Sequence, residues 1–374
     1  MPIDTVPSCI QALRQHRLLT AAQLEELNRN LHEFSTARVL AQELLKASWL
    51  TPFQVNQLFN GRGGDLVLGP YILMERLGEG GVGHVFKARH MHMQRLVAIK
   101  FLRSDMVSNT EVLGRFYREI QAVSQLVHPN VVLAHDAGPI GNTHFMAMEF
   151  VEGTDLEKLV KQQGPLPVEQ ACDYIRQSAL GLQHIFERNL VHRDIKPGNL
   201  LVTELEHGNE RWSQASTASA MASGQSFPFG LIKILDLGLA RFDESEQQGN
   251  GDPLTQAGSG GLRGSADYLA PEQAVDFHTA DIRADIYSLG CTFYYLLTGK
   301  SPFDGGSLAT KLMRHQNAAA PPLERLRKGL PRRLQQVIDR MLAKKPEQRF
   351  QTPAEVAGAV AGSGGRSWLG LWRV

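Results

Sequence analysis

Within eight residues, His192-Arg193-Asp194-Ile195-Lys196-Pro197-Gly198-Asn199 supplies a proton acceptor, a cation and a metal-binding amide. Asp194 can orient a hydroxyl and take its proton, and Lys196 can offset negative charge on a phosphate. Asn199 offers a hard oxygen of the kind Mg2+ takes. A second such oxygen comes from Asp236, which ends the apolar run Ile232-Lys233-Ile234-Leu235 and precedes Leu237-Gly238. An acid placed there can be aimed at a ligand-bound cation, although the dipeptide alone equally suits a turn or a helix cap.

Upstream, Leu77-Gly78-Glu79-Gly80-Gly81-Val82-Gly83-His84-Val85 contains G-x-G-x-x-G-x-V. Glycines let the backbone approach a polyphosphate and point amides at it. A dinucleotide-binding turn is the rival reading, but it needs a helix after the third glycine and an acid about twenty residues on. Here Val85-Phe86-Lys87-Ala88 continues as a strand, and the later segment is Val97-Ala98-Ile99-Lys100. A strand–turn–strand flap fits better. Lys100 lies in an apolar strand, Leu96 to Leu102, where a lysine alone would snorkel at an edge. Below a phosphate flap it can hold phosphates, and it then needs a carboxylate to fix it. Glu119, on a predicted helix from Glu111 to Leu126, is the first candidate. Glu111 is the second, because an acid at a helix start ordinarily serves the dipole.

These groups need a scaffold. The first sixty residues read as three or four helices with a weak repeat at an offset of 31 residues, Leu19-Thr20-Ala21-Ala22-Gln23-Leu24 against Leu50-Thr51-Pro52-Phe53-Gln54-Val55. Thr followed by Gln three places later is capping-box spacing in both copies. Gly61-Arg62-Gly63-Gly64 reads as a hinge or linker. From Tyr71 short strands rich in Val, Ile and Phe follow. After Pro165 the pattern turns helical, with apolar periodicity over 168–187, 284–298 and 331–343. A strand-rich part followed by a helix-rich part is an α+β arrangement, in which the cleft between them is the natural ligand site. Residues 203–230, rich in serine and alanine, read as a solvated surface loop, and the tail from Ala361 to Val374 as a frayed terminus.

Composition narrows the partners. Lysine and arginine total 39 against 38 acids, a net charge of +1, so neither nucleic acid nor an anionic membrane is called for. Cys9, Cys172 and Cys291 lie far apart without metal-ligand spacing, which favours a reducing compartment. Met1-Pro2-Ile3-Asp4 has no basic start or apolar stretch, and no apolar run would span a bilayer. A cytoplasmic protein is expected.

In order along the chain, the glycine flap, Val97-Ala98-Ile99-Lys100, the 192–199 loop and Asp236-Leu237-Gly238 are followed by Ala270-Pro271-Glu272, Asp285-Ile286-Tyr287-Ser288-Leu289-Gly290 and Arg349. From about Tyr71 to Val360 the chain resembles a bacterial eukaryotic-like protein Ser/Thr kinase. The resemblance implies a bilobal fold with a strand-rich lobe over 71–151 and a helical lobe over 152–360. These would follow a helical module (1–60) and a linker (61–70), with a tail over 361–374. It implies ATP and Mg2+, with Asp194, Lys196, Lys100 and Glu119 as catalytic residues and Asn199 and Asp236 as metal ligands. The flap from Leu77 to Val85 would cover the phosphates. Met148 would stand behind the adenine, with backbone groups of Glu149 and Val151 pairing to its edge. Val85, Ala98 and Leu201 would sandwich the base, and Asp155 would reach the ribose. Glu272 and Arg349 would form a buried ion pair, and His192 and Asp285 would hold the loop in shape.

Three departures from the family pattern stand out: Leu237 replaces the usual Phe, Ser265 replaces the usual Thr while keeping its hydroxyl for Asp194 and Lys196, and the loop over 203–230 lengthens a surface turn between the strands that carry Asn199 and Asp236. Arg193 suits a phosphorylated activation loop, with Arg241 as a second contact. Thr255 is the first candidate phosphosite, ahead of Ser259 and Ser245. The expected activity is transfer of the ATP γ-phosphoryl group to Ser or Thr hydroxyls of protein substrates, including the chain itself. The alternatives are a non-catalytic scaffold and a kinase for small molecules. The N-terminal helices are read equally as a docking or self-association module and as an accessory bundle packed on the strand-rich lobe.

Overall fold

The computed structural model describes residues 3–79, 83–103, 107–203, 227–236, 266–276 and 280–361, and the side chains of Glu111, Arg115 and Glu119 lie outside that description. Two compact units divide the chain: Met1–Thr110 with His135–Phe150, and Glu111–Ala134 with Val151–Val374.

The first unit begins with helices α1 (Val6–Gln15), α2 (Ala21–Arg29), α3 (Ala37–Lys46) and α4 (Pro52–Phe59). Each has a threonine N-cap, Thr5, Thr20, Thr36 and Thr51, whose hydroxyl accepts an amide of the first turn. The 31-residue repeat is structural. In each copy a residue in the left-handed region, Arg17 at φ 50° or Ser48 at φ 56°, turns the chain between paired helices. Leu13, Leu18, Leu40, Leu44 and Leu58 close the helical core, joined by Leu66 and by Ile72 of the next strand. The segment read as a linker is therefore no open tether. A 3-10 turn over Gly63–Leu66 leads into β1 (Val67–Leu68), Leu66 is fully buried, and a Cβ on Gly63 would fall 2.6 Å from the His16 ring.

Strands β2 (Tyr71–Glu79), β3 (Gly83–His90), β4 (Leu96–Leu102), β5 (Ala134–Ile140) and β6 (Thr143–Glu149) complete a six-stranded sheet of order β1-β2-β3-β4-β6-β5. Its β-branched and aromatic residues suit a pleated surface. Tyr71, Val97, Ile99, Phe101 and Phe145 form a core of their own.

The second unit holds α5 (Thr110–Ser124), a three-stranded sheet and most of the helices. The sheet order is β7-β8-β9, from β7 (Thr154–Asp155), β8 (Leu200–Thr203) and β9 (Leu231–Ile234). Around it run α6 (Leu156–Gln163), α7 (Val168–Phe186), α8 (Ile282–Thr298), α9 (Leu308–Asn317), α10 (Arg332–Met341) and α11 (Pro353–Ala361). Helix α8 is buried on every side from Ala284 to Leu297, as a central helix is. Asp281 caps its start and Gly299, at φ 76°, ends it in the left-handed conformation. Among the described residues no helix is long and apolar enough to cross a membrane.

Candidate active site

In the first unit the sheet register decides which side chains share a face. Val85 stands opposite Lys100, Lys100 opposite Met146, and Ala98 opposite Met148. With a side-chain period of two, Val85, Ala98, Lys100 and Met148 occupy one face. His84, Phe86 and Phe101 occupy the other. Lys100 is half-buried, Met148 and Glu149 are buried, and Leu77 is 46% exposed at the flap's start. Glu79 closes β2 in an ion pair with Arg76 at 2.5 Å, and Arg76 also reaches His84 Nδ1 at 2.8 Å. Gly83 has no alternative: a Cβ there would sit 1.6 Å from the Phe101 carbonyl oxygen across the sheet. Gly80, Gly81 and Val82 lie outside the described residues.

In the second unit the loop between α7 and β8 is fixed by one buried acid. Asp285 accepts the amides of His192 and Arg193, each at 2.7 Å, one on each carboxylate oxygen. Burial pushes this carboxyl up to about 7 against the opposing pull of those amides and of the Arg193 charge. Arg193 takes φ 66° in the turn. Burial lowers His192, and the neutral ring then links two chain segments. Its Nδ1 accepts from the Asp194 amide at 3.3 Å, which leaves Nε2–H to donate to the Leu235 carbonyl at 2.8 Å. Leu235 also donates its amide to the Asn199 carbonyl at 2.9 Å, and Asp236 follows at φ 45°.

The carboxylate of Asp194 is held from two sides. Asn199 Nδ2 donates to its Oδ2 at 2.9 Å and to its backbone carbonyl at 2.8 Å, and Lys196 Nζ stands 3.1 Å from Oδ2. Both amide hydrogens of Asn199 are thereby spent, and its oxygen is the atom left for a cation. Asn199 Oδ1 and the Asp236 carboxylate are hard donors that fit Mg2+, an ion that keeps much of its shell for phosphate and water. No cluster of three His, Cys, Asp or Glu among the described residues offers another metal site.

Asp155 and Leu201 face each other across β7 and β8, but the Asp155 carboxylate caps α6. It accepts the Lys158 amide at 2.8 Å and pairs with the Lys158 ammonium at 2.9 Å. Val151 precedes this strand. The residues predicted from sequence are thus divided. Leu77 to Lys100, Met148 and Glu149 belong to the first unit, and Val151, Asp155, Asp194, Lys196, Asn199, Leu201 and Asp236 to the second. Helix α5, which carries Glu119, also belongs to the second unit. Leu237, Gly238, Arg241, Ser245, Thr255, Ser259 and Ser265 lie outside the described residues.

Deeper in the second unit, Arg349 is 1% exposed and uses every guanidinium hydrogen. Nη1 and Nη2 bind the two oxygens of Glu272 at 2.6 and 2.7 Å, and the remaining donors reach the carbonyls of Arg283, Ala343 and Lys344 at 2.8, 2.7 and 2.9 Å. Sequence reasoning missed Gln273. Its oxygen accepts the Ala270 amide at 3.0 Å and its nitrogen donates to the Arg193 carbonyl at 3.2 Å, tying the Ala270-Pro271-Glu272 segment to the 192–199 loop. A glutamine after a glutamate carries no periodic signal, so only the fold could reveal it.

The model for the protein kinase domain matches residues 71–358. This chain belongs to the protein kinase family. A probable serine/threonine-protein kinase of Clostridium perfringens is 33% identical over 79% of the chain and 38% of its own length. The serine/threonine-protein kinase PknA of Mycobacterium tuberculosis is 33% identical over 80% of the chain and 62% of its own length. The chain therefore spans about two-fifths of the clostridial kinase and under two-thirds of PknA. Among solved structures, the kinase domain of Mycobacterium tuberculosis PknI is similar with a TM-score of 0.56 at 26% identity, covering 79% of the chain and 97% of that domain. The fold is that of a protein kinase, preceded by the four N-terminal helices.

Proposed function

We propose that the chain transfers the γ-phosphoryl group of ATP to serine or threonine hydroxyls of protein substrates. The observation that carries this reading is the Asp194 carboxylate held between Asn199 and Lys196 at 2.9 and 3.1 Å. Asp194 orients the acceptor hydroxyl and takes its proton, while Lys196 offsets charge on the migrating group. Lys100 and the amides of the flap bind the nucleotide phosphates, fixed by Glu119. Met148 and the backbone of Glu149 and Val151 receive the adenine between Val85, Ala98 and Leu201, with Asp155 at the ribose. Asn199 and Asp236 hold Mg2+, which neutralises phosphate charge when bound. Catalysis by such a set is mainly positioning and electrostatics.

Arg193 is the receiver for a phosphate on the 241–265 segment, with Thr255 first and Ser259 second, and Ser265 supports Asp194 and Lys196. Mass spectrometry of active enzyme showing no phosphate between 241 and 265 removes this part. The chain acts in the cytoplasm on this reading, supported by Cys9, Cys172 and Cys291 being buried and unpaired. Partner docking or self-association through the N-terminal helices belongs to the same reading, and sedimentation of the whole chain with and without substrate tests it.

The deciding assay is radiolabelled ATP with a generic basic protein, comparing wild type with Asp194→Asn. The substitution is expected to lower incorporation by about 10²–10⁴-fold. Equal incorporation by both refutes the assignment of Asp194, and none from either supports a non-catalytic scaffold.

A further inference from the structure

The helical module and the flap share more than an apolar seam. Strand β2 breaks register with β3 twice before the flap, between Leu73 and Glu75 and again between Arg76 and Gly78. A bulge takes backbone groups out of the ladder and bends the strand. At the first of these, the N-terminus of α4 supplies partners: Gln54 Nε2 donates to the Leu73 carbonyl at 2.8 Å, and Thr51 Oγ1 donates to the Met74 carbonyl. Gln54 is 3% exposed, and its other end accepts the Thr51 amide at 2.9 Å, closing the capping box of α4. One residue away, the Phe53 ring packs on Phe86 of β3 at 5.8 Å between centroids. Consecutive residues of α4 therefore grip the strand that enters the flap and the strand that leaves it.

The repeat supplies an internal comparison. In the first copy Thr20 and Gln23 close the same box, with the Thr20 amide donating to Gln23 Oε1 at 2.8 Å and the Gln23 amide to Thr20 Oγ1 at 3.3 Å. Those bonds stay within the first turn of α2, on an exposed surface. Only the second copy spends its glutamine on a strand, and Ile72 of that strand lies in the helical core.

We propose that Gln54 is a positioning residue for the phosphate flap: by fixing the bulge at Leu73 and Met74 it sets the path on which Leu77 to Glu79 runs toward the glycines. This rests on the phosphotransfer reading above. The flap works through backbone amides, whose aim depends on the strand that carries them. Releasing the bulge spreads the flap over more conformations. Apparent affinity then falls in proportion to the fraction still competent to bind.

The test uses the whole chain. Gln54→Glu keeps an acceptor for the Thr51 amide, so α4 stays capped, but once ionised, at the alkaline end of the assay range, it has no hydrogen for the Leu73 carbonyl. Gln54→Met keeps the volume without either bond and serves if the glutamate variant folds poorly. Gln23→Glu is the control. Magnesium-ATP affinity is measured by calorimetry, KM for ATP and kcat with a generic substrate, and amide hydrogen exchange over 71–79. Losing one buried hydrogen bond is expected to raise Kd and KM about three- to tenfold, with kcat within about twofold and faster exchange in β2. Gln23→Glu leaves all of these unchanged. Unchanged Kd in both Gln54 variants, or an equal loss in Gln23→Glu, overturns the proposal. A wild type that binds ATP but transfers no phosphate removes the phosphotransfer reading and leaves Kd and exchange to decide the role of Gln54.

Discussion

Replacing Arg349 by lysine keeps the charge and removes the geometry. The guanidinium fills five acceptors with five donors, in a place where it is 1% exposed. An ammonium has three hydrogens and no planar fork, so at least two of those oxygens lose their partner. A buried acceptor left unpaired costs about 1–3 kcal/mol, which puts Arg349→Lys near 2–4 kcal/mol after the smaller side chain relaxes. Arg349→Met loses all five bonds and the stacking over Tyr287 at 4.9 Å, and falls at roughly 3–5 kcal/mol. Glu272→Gln is expected to cost about as much, because it leaves the buried cation without its counter-ion. The pair Glu272→Gln with Arg349→Met should cost less than the sum by about 2 kcal/mol. Urea unfolding followed by far-UV dichroism gives the differences, and hydrogen exchange at the amides of α8 and α10 places them in the second unit. Arg349→Lys within about 0.5 kcal/mol of wild type refutes the reasoning, since a plain charge would then suffice.

Asp285→Asn leaves one acceptor oxygen for two amides and turns an N–H2 toward the other, so stability drops by about 1–3 kcal/mol and phosphate incorporation falls at least tenfold, read by urea unfolding and radiolabel. Burial lowers His128 from 6.5 to about 4, with the nearby His184 adding to the shift, while its Nδ1 accepts the Asn130 amide at 3.1 Å. The unfolded chain binds that proton first, so stability is full above about 6.5 and drains as pH falls toward 4. His128→Asn cannot take the proton, and the gap between its urea midpoint and that of wild type narrows from pH 7 to pH 5. Gly83→Ala sets a methyl 1.6 Å from the Phe101 carbonyl oxygen. The strands must part, and a loss of about 1–3 kcal/mol with weaker nucleotide binding follows, read by thermal melting and calorimetry.

A cluster of polar side chains drawn from neighbouring residues is legible in the sequence. Asp194, Lys196 and Asn199 lie within one turn of chain, so their meeting in space needs only a compact loop. Long periodic helices were equally plain: the apolar run over 168–187 is α7, Val168–Phe186. What escaped depended on backbone. Gln54 binds a carbonyl exposed by a bulge, and no residue type announces which carbonyl a bulge frees. The glycines at 61–64 read as a hinge because glycine is commonest where chains bend. At Gly63 the reason is instead that the His16 ring occupies the space of a side chain. Asp155, given to a ribose by resemblance, also caps α6 through the Lys158 amide, a second role that its place three residues before Lys158 at a helix start already carries.

The seam between α4 and β2 bears on where this protein can be cut. The family match begins at residue 71, an inviting start for a shortened chain. Such a fragment would bare Ile72 and Phe86 to water and strand the carbonyls of Leu73 and Met74 at the root of the glycine turn. Its poor behaviour would be charged to the catalytic part, when the fault lay in the missing helix.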